Sequence, residues 1–405
     1  MTPRTPARQP LKVAILGLGT VGGAVAHALM ERGADLAHAT GGRPIHLAAV
    51  GVRDPERTRM VEIPRGIPRS ADLVTIAGDP SIDVVVELLG GIEPAGDLIA
   101  DSLRAGRSVV TANKALLARR GVELEAEARR TGASLRFEAA VGGGIPILGP
   151  MAADLSANTW TSISGIVNGT TNFILTGMTE GGWDYQTVLA DAQARGYAEA
   201  DPSGDVEGRD AADKLAILVR IAFGDWPDVG AIRVASPAIA GDGAPGITGV
   251  TAEVISAAAE LDLVIKLVAY ARRATDGVVG AAVVPVAIPA DESLAGIGGV
   301  TNVVELVGSP IGRLRISGPG AGGEATSSAV LGDLIAIARG HGSTWAGSPM
   351  AGAMHHMGDA MADTFRWFHV GPDGGAVTEP LTLSDARKVL ASAGDRTALY
   401  PVVEG

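Results

Sequence analysis

Apolar residues run almost unbroken through LKVAILGLG (11–19) and stop at glycines, while VGGAVAHALMERG (21–33) spaces them as one helical face. The first pattern predicts a buried strand and the second a helix. IHLAAVGV (45–52), after a Gly-rich connection at 40–44, predicts the next strand, followed by IDVVVELL (82–89), SVVTAN (108–113) and SLRFEAAVGG (134–143). Helical spacing falls between them, at about 96–105 and over ALLARRGVELEAEARRTG. Strands that alternate with helices in this way build a mostly parallel, doubly wound sheet.

The pattern changes after Gly149. MAADLSAN (151–158) reads as helix, WTSISGIVNGT (160–170) as strand then loop, and TTNFILTGMTEG as the start of a further helix. YQTVLADAQARG (185–196) and DAADKLAILVRIAFG (210–224) are strong helices around an acidic loop, and alternation at 278–288 and 300–317 predicts a second sheet. GPGAGGEATSSAVLGDLIAIARG (318–340) is a glycine loop feeding a long apolar helix. The remainder offers one strand, TFRWFHV, and one helix, SDARKVLAS. The expected class is α/β: a Rossmann-type domain over 1–149, completed by helix 319–340, an α+β domain over 150–318, and a C-terminal extension over 341–405.

Composition narrows the chemistry. The 405 residues carry 33 Lys plus Arg against 45 Asp plus Glu, a net charge of −12. An acidic chain with no basic stripe and few aromatics is a poor nucleic-acid binder. No apolar run is long enough to span a membrane, and MTPRTPARQP lacks the apolar core of a signal peptide, so a cytoplasmic location is expected. Cysteine is absent, which excludes thiol nucleophiles, thiolate zinc sites and Fe–S clusters. No histidine lies between His46 and His341, so a mid-chain catalytic imidazole is excluded as well. Only five basic residues are lysine, at 12, 114, 214, 266 and 388. An ammonium can release a proton when desolvated and a guanidinium effectively cannot. A surface role suits Lys12 and Lys388; the other three invite a function.

Gly17-Leu18-Gly19-Thr20-Val21-Gly22 matches G-x-G-x-x-G between a strand and a helix, where glycines let backbone approach a pyrophosphate at the helix N-terminus. Arg53 ends the second strand ahead of Asp54, which favours the 2′-phosphate of NADP over NAD; a solvated turn is the alternative. None of the four tyrosines has a lysine four residues on, which removes the short-chain reductase pattern. The remaining proton carriers concentrate in GYAEADPSGDVEGRDAADKLAIL (196–218). Glu199, Asp201, Asp205, Glu207, Asp210 and Asp213 precede Lys214 there, with Asp210 and Lys214 one helical turn apart. The spacing fails the EF-hand pattern. A solvated acidic loop is the plain reading, but the helix that follows is almost wholly apolar, which places the acids at a buried helix start.

These motifs, together with VTANKALLA (110–118), EAAVGGGIPI (138–147) and GIVNGTTNFIL (165–175), resemble homoserine dehydrogenase from about residue 11 to about 340. The resemblance implies an NAD(P)-linked interconversion of L-homoserine and L-aspartate 4-semialdehyde, on the route to threonine, methionine and isoleucine, by a homodimer or higher homo-oligomer. It places Lys214 as proton donor and Glu199 and Asp210, with Asp205 in the same acidic group, at the substrate. It also places Lys114 beside cofactor and substrate, and Gly322 in a loop that closes over the nucleotide. Glu138, Val141, Gly143 and Ile145 fall on the family's sodium loop. A non-catalytic nucleotide sensor would be expected to lose ionisable groups at 114, 199, 210 or 214, and all are present; another amino-acid or aldehyde reductase of related architecture stays open. Residues 341–405 are too short for the two βαβ units of an ACT domain. Their removal is therefore expected to leave an active core, with His355, His356 and His369 as surface or packing residues.

Overall fold

A computed structural model describes residues 9–59, 61–238, 242–354, 357–371, 373–391 and 398–403. The chain divides into two units, one of Met1–Ala157 with Ala321–Ala353, the other of Asn158–Gly320 with Met354–Gly405. The boundaries expected at 149 and 318 thus fall at 157 and 320, and the expected extension is shared between the units at 353.

In the first unit the apolar runs become β1 (Leu11–Leu16), β2 (Ile45–Gly51), β3 (Arg69–Ser70), β4 (Val84–Glu87), β5 (Ser108–Thr111) and β6 (Leu135–Arg136). All pair in parallel, in the order β3-β2-β1-β4-β5-β6, which is the doubly wound dinucleotide topology. Between them run α1 (Thr20–Glu31), α2 (Gly33–Ala39), α3 (Leu73–Gly78), α4 (Ala95–Arg104) and α5 (Lys114–Thr131), and α6 (Leu148–Ala152) follows β6. Val13, Ile15, Val84 and Val86 from the strands pack with Val330 and Leu334 of the returning helix Gly323–Ala338. Burial of each such side chain contributes about 1.5–3 kcal/mol.

Two expectations fail at the end of this sheet for one reason. The strand expected through 143 stops at Arg136 and gives way to a 3-10 turn, Glu138–Ala140, and the helix expected over 151–158 occupies Leu148–Ala152 instead. The Glu138 carboxylate accepts from the N–H groups of Ile147 (2.5 Å), Leu148 (2.8 Å) and Gly149 (2.5 Å), and so fixes where the helix begins. The Glu138 N–H in turn donates to Asp333 at 2.8 Å.

The second unit contains β7 (Thr159–Ile166), α7 (Gly169–Gly181), α8 (Tyr185–Ala194), α9 (Ser203–Val206) and α10 (Arg209–Phe223). The small pair β8 (Ala235–Pro237) and β9 (Asp242–Pro245) leads to α11 (Ala252–Ala259). Then come β10 (Leu263–Arg273), β11 (Val279–Pro289), β12 (Thr301–Ser309) and β13 (Gly312–Pro319), before the chain returns to the first unit as α12 (Gly323–Ala338). β10 escapes sequence reading because it is buried on both faces and so shows no alternation.

The tail completes this sheet. β14 (Arg366–Gly371), β15 (Gly374–Val377) and β16 (Leu399–Val402), with α13 (Leu383–Ala391), extend it to the order β13-β12-β7-β10-β11-β16-β14-β15. β16 joins β11 in parallel through Ala287 and Val402, and β14 runs antiparallel to β16. Trp367 and Phe368 are fully buried, and Trp367 packs in one cluster with Val284, Val286 and Ile288 of β11. Among the described residues the tail holds a single helix, α13, not two βαβ units. Within the first unit Thr344 bonds Leu135 and Phe137, and Trp345 lies 5.4 Å from the Phe137 ring. His369 is buried in β14, whereas His355 and His356 lie outside the described residues.

Removing 341–405 therefore strips core from both units, which argues against a stable remainder. Deletion of 354–405 should give aggregated protein, and Trp367→Ala in the full chain should lower stability by about 3–5 kcal/mol in denaturant unfolding. A soluble, cooperatively unfolding truncation would contradict this role for the tail.

Candidate active site

A cavity of about 1940 Å³ in the first unit opens where β1 and β4 lie side by side with their helices on opposite faces. Gly17, Leu18, Gly19 and Thr20 line it, as do Leu88, Leu89 and Gly90 after β4 and Gly323 and Glu324 at the start of α12. Val21 and Gly22 are not among its walls; Gly22 serves the packing beneath. Gly17 has φ +102°, and a Cβ there would sit 2.6 Å from the Leu88 carbonyl oxygen. A Cβ on Gly22 would sit 2.0 Å from the carbonyl oxygen of Gly17. Gly19, the residue before α1, faces open space, as a backbone that must admit a diphosphate should. Gly322 precedes α12 with φ +116°, beside the lining residue Gly323.

Arg53 lines the same cavity, joined by Arg57 and Arg59 of the same turn and by Arg32, which sequence reading did not assign. Arg59 donates to the carbonyls of Arg57 (2.8 Å) and Asp54 (2.7 Å) and folds the loop after β2 back on itself. Glu87 was also missed. It is fully buried at the end of β4, accepts from Leu89 N–H at 2.7 Å and Thr111 Oγ1 at 2.6 Å, and so shapes the cavity floor. Burial pushes its carboxyl above the ordinary value. Lys114 does not line this cavity; it opens α5, whose cap residue Asn113 donates to the Gly91 carbonyl at 2.7 Å.

In the second unit, α7 and α10 assemble the other constellation. Asn168 caps α7, its Oδ1 accepting from the Thr171 N–H at 2.8 Å. Its Nδ2 donates to Asp205 at 2.7 Å and to Asp210 at 2.9 Å. Lys214, on α10, donates to Asp210 Oδ2 at 2.7 Å and to the Val167 carbonyl at 2.7 Å, with its side chain 11% exposed. Its third N–H has no hydrogen-bond partner among the described residues. Burial pushes the Asp205 carboxyl up, opposed by the Asn168 hydrogen bond and helped by the charge of Asp210. Lys214, Asp210 and Asp205 thus come together as expected from the sequence. Glu199 stands apart from them, exposed in the loop between α8 and α9. Asn168 was missed as a functional residue, although it lies within GIVNGTTNFIL (165–175), one of the motifs that carry the resemblance.

Among the described residues no three His, Asp or Glu side chains gather as a metal site, and no helix is long and apolar enough to cross a membrane.

A dinucleotide-type sheet with a glycine loop in one unit, and in the other a half-buried lysine among carboxylates, are the parts of a nicotinamide-dependent oxidoreductase. Residues 17–138 match the family model described as homoserine dehydrogenase, NAD binding domain, and residues 146–335 match that of homoserine dehydrogenase. Homoserine dehydrogenase of Bacillus subtilis is 37% identical over 94% of this chain and 86% of its own, and that of Synechocystis is 43% identical over 81% and 73%. A solved homoserine dehydrogenase from Thiobacillus denitrificans superposes with a TM-score of 0.85 at 32% identity, covering 98% of both chains. One from S. aureus gives 0.78 at 29%, covering 98% of this chain and 99% of its own. The chain belongs to the homoserine dehydrogenase family.

The Asn168 amide leads to a test. Asn168→Ala removes the α7 cap, worth about 1 kcal/mol, and leaves Asp205 and Asp210 without their shared donor. Turnover should fall while nucleotide affinity, read by NADPH fluorescence, stays within about twofold; equal losses in both would place Asn168 in general folding only.

Proposed function

We propose that this chain catalyses the reversible, NAD(P)-linked reduction of L-aspartate 4-semialdehyde to L-homoserine, with Lys214 as the proton donor. The observation that carries this reading is the Lys214 ammonium, half-buried, tied by two of its N–H groups and left with one to offer. A nicotinamide held in the first unit's cavity would supply hydride chemistry for the aldehyde carbon. Lys214 then supplies a proton and positive charge to the oxygen on that carbon, so that the alkoxide never forms unprotected. Asp210 and Asp205 offer negative charge to the substrate ammonium, and Glu199 is assigned to the same ammonium by the family resemblance alone. Lys114, at the N-terminus of α5, is assigned to the cofactor and substrate by the family resemblance.

The glycine loop and the α1 N-terminus would hold the diphosphate, and the four arginines in the same cavity favour NADP over NAD, with Arg53 the residue that reads the 2′-phosphate. The loop after β6 suits a sodium ion. Its backbone hydrogen bonds use the carbonyls of Glu138 and Gly142 but not those of Val141, Gly143 and Ile145, all on buried residues. Oxygen donors of this kind suit a hard cation. The Glu138 side chain is committed to α6 and its carbonyl accepts from the Val141 N–H at 3.4 Å, so a contribution from Glu138 would use that carbonyl's second lone pair. A homodimer in the cytoplasm, in the pathway to threonine, methionine and isoleucine, completes the reading by resemblance.

Purified enzyme should oxidise NADPH when given aspartate semialdehyde, and Lys214→Ala should cut kcat by roughly 100-fold or more with nucleotide binding retained. Near-normal turnover in that variant would remove Lys214 from the mechanism. Arg53→Glu should raise the KM for NADPH at least about tenfold and leave that for NADH largely alone, since it removes a charge-assisted contact; a wild type that already prefers NADH would contradict the assignment.

A further inference from the structure

Lys266 belongs to none of the groups described so far. It lies in β10 and is 2% exposed, and its ammonium donates to the Ile297 carbonyl at 2.7 Å, Asn172 Oδ1 at 3.1 Å and Thr176 Oγ1 at 3.3 Å. No carboxylate lies within ion-pair distance of it among the described residues. Burial draws its pKa down to about 8. The charge of Glu180 opposes that shift without outweighing it. A buried cation with no carboxylate in contact costs stability, and an apolar chain of the same length would fill the space without that cost. Packing alone therefore does not account for a lysine here.

Its acceptors show what it joins. Asn172 and Thr176 stand on successive turns of α7, and Ile297 opens the loop that leads into β12. Asn172 also donates its Nδ2 to the Thr301 carbonyl at 3.3 Å. At the head of the same helix, a Cβ on Gly169 would lie 2.9 Å from the Val300 carbonyl oxygen, so helix and loop are in close contact. That head carries Asn168, which holds Asp205 and Asp210, and it directly follows Val167, whose carbonyl receives Lys214. A compact ammonium with three tetrahedral donors fits acceptors from two segments; a planar guanidinium would not.

We propose that Lys266 is a positioning residue for the reaction, fixing the first two turns of α7 on the 297–301 loop and thereby the direction in which Lys214 presents its free N–H. The inference rests on Lys214 as proton donor.

The test is a double-mutant cycle of Lys266→Met and Lys214→Ala, read as kcat per folded molecule beside KM for NADPH and Tm. Lys266→Met alone should lower kcat by roughly tenfold, within the range that misplacement of a reacting group costs, and leave the KM for NADPH unchanged. In the Lys214→Ala background it should lower kcat no further, while its shift in Tm remains. Unchanged kcat in Lys266→Met, or an equal loss in both backgrounds, would overturn the positioning role. Near-normal kcat in Lys214→Ala would instead overturn the proton-donor reading itself. Should Lys266→Met fail to fold, Lys266→Gln, which keeps one polar end toward Ile297, runs the same cycle with the same criteria.

Discussion

The Asn168 amide has two N–H bonds and gives both to carboxylates, Asp205 at 2.7 Å and Asp210 at 2.9 Å, while its oxygen caps α7. Two like charges brought this close would repel in a half-buried setting, and a shared donor offsets part of that repulsion. Lys214 supplies the opposite charge from α10 through Asp210. The group then carries two carboxylates against one ammonium, a balance that an amino-acid ammonium would complete. Because one short side chain connects the helix cap, the acids and indirectly the lysine, the start of α7 sets the geometry of the whole constellation.

The first unit meets a different constraint, the close approach of backbone to a large anion. Gly17 and Gly22 have no room for a Cβ, since each would run into a carbonyl 2.6 Å or less away, whereas Gly19 faces open space. The first two glycines are thus required by packing and the third by what must fit beside it. Glu87 extends the same order to the neighbouring strand, since it ties the loop after β4 to Thr111 of β5.

Much of this is legible in the chain. Apolar runs locate β1, β2, β4 and β5 within a few residues, and the spacing of Asp210 and Lys214 puts them on one helix face. What is not legible depends on partners far away in sequence. Glu138 reads as part of a strand, yet its carboxylate turns back to the N–H groups of α6, about ten residues on, and ends the strand early. β10 is buried on both sides and loses the alternation by which a strand is recognised. The tail resembles a separate appendage because its pairing partner, β11, lies more than a hundred residues earlier. Asn168 resembles any helix cap until Asp205 and Asp210 are folded against it.

The most direct measurement is a crystal structure of the enzyme with NADP and L-homoserine bound together. The account predicts the homoserine hydroxyl oxygen at hydrogen-bond distance, about 2.8 Å, from Lys214 Nζ, with the substrate ammonium facing Asp210 and Asp205. A hydroxyl held by other groups, with Lys214 still bonded only to Asp210 and the Val167 carbonyl, would contradict it.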